Sequence, residues 1–382
     1  MRALSNLFAP RDMTSGTPWK SILSFSIPLL IGNLAQQAYS AVDSMVVGTY
    51  IGDNALAAVG TSFPIINLLI VFFVAISSGV GIMVSQYFGA KRKEDLEITI
   101  GNCISITFIA SLIIMALTPF ITAPLLRLLD VPESIFLWSK NYLAILMYGV
   151  MGMAYFNILS GVLRGMGDSA SPLLYLLIST AINIALDIYF VVSLGLGVPG
   201  VALATVIAQA CSAILCLRKL YKMRDVAHLR PNHLKLHKEY LYPMLKLGIP
   251  TGMTQAIFST SQLFVQSLVN SFGEFYIAAN LLVIRIDGFI MLPNFSFGMA
   301  MTTYTGQNVG AGKLDRVQEG TKQGLILAIS VSATFTLLVV LFGRQLMNLF
   351  TSTEELIDYS VRMISWLIPG YIAMSVTQVL MG

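Results

Sequence analysis

Two aspartates sit where a carboxylate is expensive. Asp43 lies in the first of a series of long apolar stretches, and Asp187 lies in the fifth. Hydrocarbon cannot solvate a charge, so an ionisable group in such a segment is by default a functional one. Each has polar neighbours at helical spacing. Asn33, Gln36 or Gln37, Ser40 and Asp43 recur every three to four residues, which places them on one helical face. Thr180, Asn183 and Asp187 do the same in the fifth stretch, and Thr205, Gln209 and Ser212 in the sixth. Two nearby carboxylates in a low-dielectric cavity cannot both stay ionised cheaply, so such a pair can take up a proton. The same oxygens, with an Asn carbonyl and a Thr hydroxyl, can instead hold Na⁺, because hard cations prefer oxygen ligands. Either ion leaves the cavity less negative. An organic cation and a coupling ion would then compete for one charge, which is the physical basis of antiport.

The other chemistry-bearing residues are weaker signals. The seventh stretch carries Gln255, Ser259, Gln262, Gln266 and Asn270 without a charge. Amides of this kind also join helices by hydrogen bonds. Arg285 and Asp287 in the eighth stretch are two residues apart, so on a helix they do not face each other. They read either as ion pairs with other helices or as a second polar site. His228, His233 and His237 fall in a basic loop and read as solvated rather than metal-binding. Cys103, Cys211 and Cys216 form neither a disulfide framework nor a metal spacing, and read as packing residues. No His lies in an apolar stretch and no nucleophile–base set or ATP-binding motif is present, so an enzyme is not expected.

The elements that must position these groups follow from composition. Of the 382 residues 56% are hydrophobic and only 11% charged, against about 25% charged in a soluble protein. The charges cluster and leave stretches of about 20 residues or more, long enough to cross about 30 Å of hydrocarbon as helices. Ten spans are expected, at 20–49, 56–86, 98–120, 134–163, 170–194, 198–221, 242–270, 276–306, 318–343 and 355–381.

The chain repeats itself after about 221 residues: Ser26-Ile27-Pro28 matches Gly248-Ile249-Pro250, Gly52-Asp53-Asn54 matches Gly273-Glu274-Phe275, and Gln86-Tyr87-Phe88-Gly89-Ala90 matches Gln307-Asn308-Val309-Gly310-Ala311. Six spans per copy give parallel repeats, as in transporters built of two like halves. The expected fold is an all-α integral membrane protein of two six-helix bundles. The domains are a cytoplasmic N-terminal segment at 1–19, an N-lobe at 20–221, a basic cytoplasmic linker at 222–241, and a C-lobe at 242–382 with four of its six helices. On the same offset Gly382 maps onto Gly161, so the sequence is expected to be part of a twelve-span protein. The polar first 18 residues lack the apolar core of a signal peptide.

Orientation follows from Lys and Arg. With a cytoplasmic N-terminus, eighteen of the 23 fall inside, from Arg2, Arg11, Lys91 and Arg92 to Lys313 and Lys322. Only Arg127, Lys140, Arg344 and Arg362 fall outside, and Arg285 lies within a span. The net charge of +4 is thus a topology signal and implies no nucleic acid.

Several motifs resemble one family. They are Asp43 with Gly48 and the Gly52–Ala58 segment, Gln86-Tyr87-Phe88-Gly89-Ala90, and Leu163-Arg164-Gly165-Met166-Gly167-Asp168. Asn183-Ile184-Ala185-Leu186-Asp187, Gly200-Val201-Ala202-Leu203-Ala204-Thr205 and Gly306-Gln307-Asn308-Val309-Gly310-Ala311-Gly312 complete the set. Over its whole length the chain resembles the multidrug and toxic compound extrusion (MATE) transporters, in the prokaryotic DNA-damage-inducible-protein-F-like branch. The resemblance implies two lobes in a V and efflux of organic cations or amphiphilic drugs in exchange for H⁺ or Na⁺. It implies an ion site of Asp43, Asn183, Asp187 and Thr205, with no other cofactor. Asn33, Gln36, Ser40, Gln255, Gln262, Gln266, Arg285 and Asp287 are the candidates for the substrate cavity. Another branch of the family has acidic residues on the seventh and tenth helices; here the seventh has none, and neither does the deep part of the tenth. The expected setting is the inner (plasma) membrane, with lipids as neighbours and the transporter acting as a monomer. The alternative is a lipid-linked oligosaccharide flippase of the same superfamily, which would use several cavity cations where only Arg285 is available.

Overall fold

The computed structural model describes residues 8–348 and 350–382; Arg2, among the expected inside cations, falls outside them. The described residues form eleven α-helices: α1 Pro18–Tyr50, α2 Asp53–Gly89, α3 Lys93–Leu128, α4 Glu133–Tyr148, α5 Val150–Gly165, α6 Ala170–Ile188, α7 Val198–Lys222, α8 Lys238–Asn270, α9 Glu274–Gly310, α10 Leu314–Asn348 and α11 Glu354–Met381. Each expected span has its helix, but the fourth is two, α4 and α5, bent by 50° at Gly149. A Cβ on Gly149 would lie 2.2 Å from Val206 Cγ2, so α7 comes too close there for any side chain.

Among the described residues, seven helices are long and apolar enough to cross a membrane, or eight with α4 and α5 as one span. Neither α1 nor α8 is among them, because the polar stripes noted above dilute their apolar character. They are the first helices of the two repeats.

Contacts divide the chain into two compact units. One runs from Leu34 to Gly252 with the N-terminal segment up to Arg11; the other comprises Asp12–Asn33 and Met253–Gly382. Both borders fall inside helices, a few residues after Pro28 in α1 and after Pro250 in α8.

In the first unit, α2 and α5 pack through small residues. A Cβ on Gly165 would lie 2.7 Å from Gly81 O, and one on Gly161 2.8 Å from Ser77 O. This close approach lets backbones touch where lipid supplies no hydrophobic drive for association. Val80, Met83, Ile100, Ile158, Leu159 and Val162 fill the core beside it, with Cys103 and Cys216 as packing residues. All three cysteines are free.

The loop after α7 is largely exposed, as expected, with His228 exposed and His233 and His237 half-buried, but its backbone is anchored. It is tied to α3 by buried acceptors: Glu97 accepts the His228 N–H at 2.7 Å, and Asn102 accepts the His237 N–H at 2.7 Å. His233 Nδ1 lies 3.7 Å from Glu97 Oε2. The Tyr240 hydroxyl donates to Asp95 at 2.6 Å, which keeps its proton on and pushes its pKa up to about 12. No group of three metal-ligating side chains occurs among the described residues.

Two of the sequence motifs turn out to be structural. Asp168, 1% exposed, starts α6 by accepting the Ser171 N–H at 2.9 Å and the Ser171 hydroxyl at 2.6 Å. In the second unit, Gln307 accepts the Met13 N–H at 2.8 Å, Lys313 donates to Thr14 O at 2.8 Å, and Arg316 donates to Gly16 O at 3.0 Å. That unit's cores are Ile22, Phe25, Phe297 and Met301 at one end, and Val283, Ile286, Ile290, Ile357 and Ile364 between α9, α10 and α11.

Candidate functional site

In the first unit, four helices bring polar groups to one place. α1 carries Tyr39 and Asp43, one turn apart on one face. α6 carries Asn183 and Asp187, again one turn apart. α7 contributes Thr205 and α4 contributes Tyr142. The helices are held beneath this cluster by Val47, Ala55, Val191, Val198, Val201 and Ala202. Immediately after Asp187, α6 passes into a π-helical turn, Tyr189–Ser193, a geometry that recurs at functional positions.

The Asp43 and Asp187 carboxyls lie close enough to hydrogen-bond with each other. Two carboxyl groups can do so only when they share a proton, because an ionised carboxylate only accepts. The Asn183 amide nitrogen donates to Asp187 Oδ2 at 3.0 Å, and its oxygen accepts the Thr205 N–H at 3.3 Å. The Tyr39 hydroxyl lies 3.5 Å from Thr205 Oγ1. Tyr39 and Tyr142 lie within electrostatic reach of both carboxyls. Asn183 and Asp187 have no exposed surface at all. One oxygen on each aspartate, Oδ1 in both, is buried without a hydrogen-bond partner among the described residues. A buried carboxylate oxygen in that condition is costly unless a proton or a cation meets it.

The four residues of the expected ion site thus lie together. Tyr39 and Tyr142 were missed in the sequence, where a tyrosine in an apolar stretch reads as packing or lipid-facing. Tyr39 had one usable signal, its four-residue spacing from Asp43; Tyr142 had none. The remaining expected cavity residues are dispersed. Asn33 belongs to the second unit, where it donates to Ser296 at 3.2 Å. Gln36 and Ser40 are exposed, and the Ser40 hydroxyl donates to Gln36 O at 3.2 Å. Gln255 and Gln262 are exposed; Gln266 donates to Asn270 at 2.7 Å and accepts from Asn280 at 3.4 Å.

Arg285 and Asp287 part company. The Arg285 guanidinium lies 5.4 Å from the Phe350 ring centre, and Asp287 accepts a hydrogen bond from the Tyr371 hydroxyl. Neither forms an ion pair among the described residues, contrary to one of the two readings of their sequence.

The MatE family model matches residues 28–189 and 250–382, two blocks that start at the repeat-related prolines Pro28 and Pro250. The chain is 31% identical over 369 residues to the probable multidrug resistance protein YoeA of Bacillus subtilis, covering 95% of this chain and 80% of that one. It is 23% identical to the multidrug export protein MepA of Staphylococcus aureus, covering 89% of this chain and 75% of that one. A solved structure of MATE in the bent conformation superposes with a TM-score of 0.88 at 24% identity, over 96% of this chain and 83% of that one. An outward-facing multidrug resistance MATE transporter of the MOP superfamily gives 0.87, over 97% and 84%. With long apolar helices in two repeats and a family match that begins anew at each repeat, the chain belongs to the MatE family and is a multi-pass membrane protein.

Proposed function

We propose that this protein exports organic cations or amphiphilic drugs in exchange for H⁺ or Na⁺. The observation that carries the reading is the Asp43–Asp187 pair, in which each carboxyl keeps one buried oxygen without a partner among the described residues. The names of its relatives support drug export. The pair supports coupling, because two carboxyls this close can share a proton and losing it leaves two adjacent negative charges. Those charges draw either the next H⁺ or a Na⁺; Asn183 and Thr205 would help hold the Na⁺ with oxygen ligands. Asn183 orients Asp187, and Tyr39 and Thr205 stand over the same carboxyls. Loading the pair with an ion removes the attraction for a cationic substrate, so ion entry drives substrate release. By the distribution of Lys and Arg, its N-terminus is cytoplasmic.

The test is transport of a fluorescent organic cation by protein in liposomes, first under an imposed proton gradient and then under a sodium gradient. Transport under one gradient alone names the coupling ion. Transport under neither, with folded protein, overturns the antiport reading and favours a flippase.

A further inference from the structure

The end of α7 carries a feature that the ion site does not use. A cavity of about 400 Å³ opens where α7 runs into the loop that follows it. One side is apolar, with Ile214, Leu217 and Tyr221 exposed at 62%, 37% and 66%. Arg218, Arg224 and His228 also line it, all exposed, with Arg218 on the same helical face as Ile214 and Tyr221. Arg224 stacks on the Tyr221 ring, its Cζ 3.8 Å from the ring centre. Stacking fixes the plane of the guanidinium and leaves its N–H edge free to donate. Among the described residues neither Arg218 nor Arg224 has an ion pair, and no acidic residue lines the cavity. Asp225, next in the chain, is not part of the lining; its carbonyl accepts Lys93 Nζ at 2.9 Å. By contrast Lys219, on the opposite side of this turn, is committed to Asp168 at 3.6 Å and to the carbonyl of Phe8.

We infer that this cavity binds the phosphate headgroup of an anionic phospholipid, with the acyl chains lying along Ile214 and Leu217. Two unpaired guanidiniums without a carboxylate call for an anion, and Arg matches phosphate oxygens in a bidentate way. The end of α7 is the negative end of its helix dipole, so the attraction must come from the side chains. The apolar side is continuous with the exposed face of a membrane-spanning helix, and a free phosphate would have no use for it. Basic pockets at the ends of membrane helices hold lipid headgroups by the same balance of forces. The inference requires that α7 spans a membrane; it does not require coupled transport.

Native mass spectrometry of the detergent-purified full chain tests it, with phosphatidylglycerol and phosphatidylcholine as probes. The expected result is one retained phosphatidylglycerol, weak phosphatidylcholine binding, and about thirtyfold weaker phosphatidylglycerol binding by R218Q/R224Q. R362Q, an exposed cation in the second unit, is expected to bind like the parent. Both arginines are exposed, so the double variant is expected to elute as a folded monodisperse protein. Undiminished binding by the double variant, or equal binding of the two lipids, overturns the inference. Displacement of the lipid by millimolar inorganic phosphate or glycerol phosphate also overturns it, because the site would then read the anion alone. Loss of this binding leaves the gradient-driven transport assay unaffected as a test of antiport.

Discussion

The two units hold the carboxyls in the middle of their apolar helices differently. In the first, α1 and α6 bring Asp43 and Asp187 into contact, each with an oxygen to spare. In the second, Asp287 in the middle of α9 is half-buried, and its partner is the Tyr371 hydroxyl of α11. The repeat makes the contrast sharper. The counterpart of Asp43 is Phe264 or Val265, both exposed and apolar, and the counterpart of Asp287 is Ile66. Like backbones therefore carry unlike chemistry. A pair of carboxyls changes its net charge readily with one proton, because removing that proton creates adjacent like charges. A single carboxyl bonded to a neutral donor has no such lever, and serves to join helices.

The largest effect that would break this contrast is at the pair. Asp43→Asn and Asp187→Asn are each expected to reduce coupled efflux to the level of protein-free liposomes, with normal membrane insertion. Wild-type efflux from either well-expressed variant would remove the pair from the mechanism. Asn183→Ala leaves both carboxyls but removes the donor to Asp187; loss of a charge-assisted bond of about 1.5 kcal/mol corresponds to roughly a tenfold rise in the ion concentration for half-maximal transport. An unchanged ion dependence would show that Asn183 does not tune the site. In the second unit, Asp287→Asn and Tyr371→Phe are expected to change the efflux rate by less than about threefold. Tyr371→Phe should still lower stability by about 1–3 kcal/mol, seen as a lower thermal midpoint, because Asp287 loses its donor. Abolished transport in a stable Asp287→Asn protein would make the two units equivalent. The smallest effect is expected from Val265→Asp in the Asp43→Asn background. This exposed position has no second carboxyl beside it, so no efflux should return; recovery would mean that one carboxyl anywhere on a repeat's first helix suffices.

Much of the fold is visible in the sequence because apolar runs of span length have few alternatives in a membrane. The carboxyl pair is visible for a related reason, since a charge in such a run stands out. What is hidden depends on contacts distant in sequence. Asn33 shares a helical face with Asp43, yet the unit border that falls directly after it gives the two different partners. Spacing reports the face of one helix and says nothing of what a neighbouring helix offers it. Glu97 and Asn102 lie early in a membrane helix, and only the distant loop at 228–237 explains their burial. Tyr142 joins the cluster solely because α4 packs beside α7. The break at Gly149 was unreadable for the same reason, since a lone glycine in an apolar stretch has many uses.

That break has a consequence for how the protein is made. At about 1.5 Å per residue, the 16 residues of α4 reach about 24 Å, short of a hydrocarbon core of about 30 Å, and α5 is no longer. Neither can be inserted alone, so Glu133–Gly165 must leave the translocon as one piece. The backbone stays hydrogen-bonded through the bend, with Gly149 N–H to Ile145 O at 2.9 Å and Gly152 N–H to Gly149 O at 3.2 Å, so the piece can enter lipid already angled. The side chain that fills the angle, Val206, is synthesised 57 residues after Gly149. At ribosomal speeds of about 5–20 residues per second, the elbow waits several seconds for its filler. During that interval the fourth span is a bent helix whose inner angle is unfilled, and slower synthesis between Gly149 and Val206 would prolong that state.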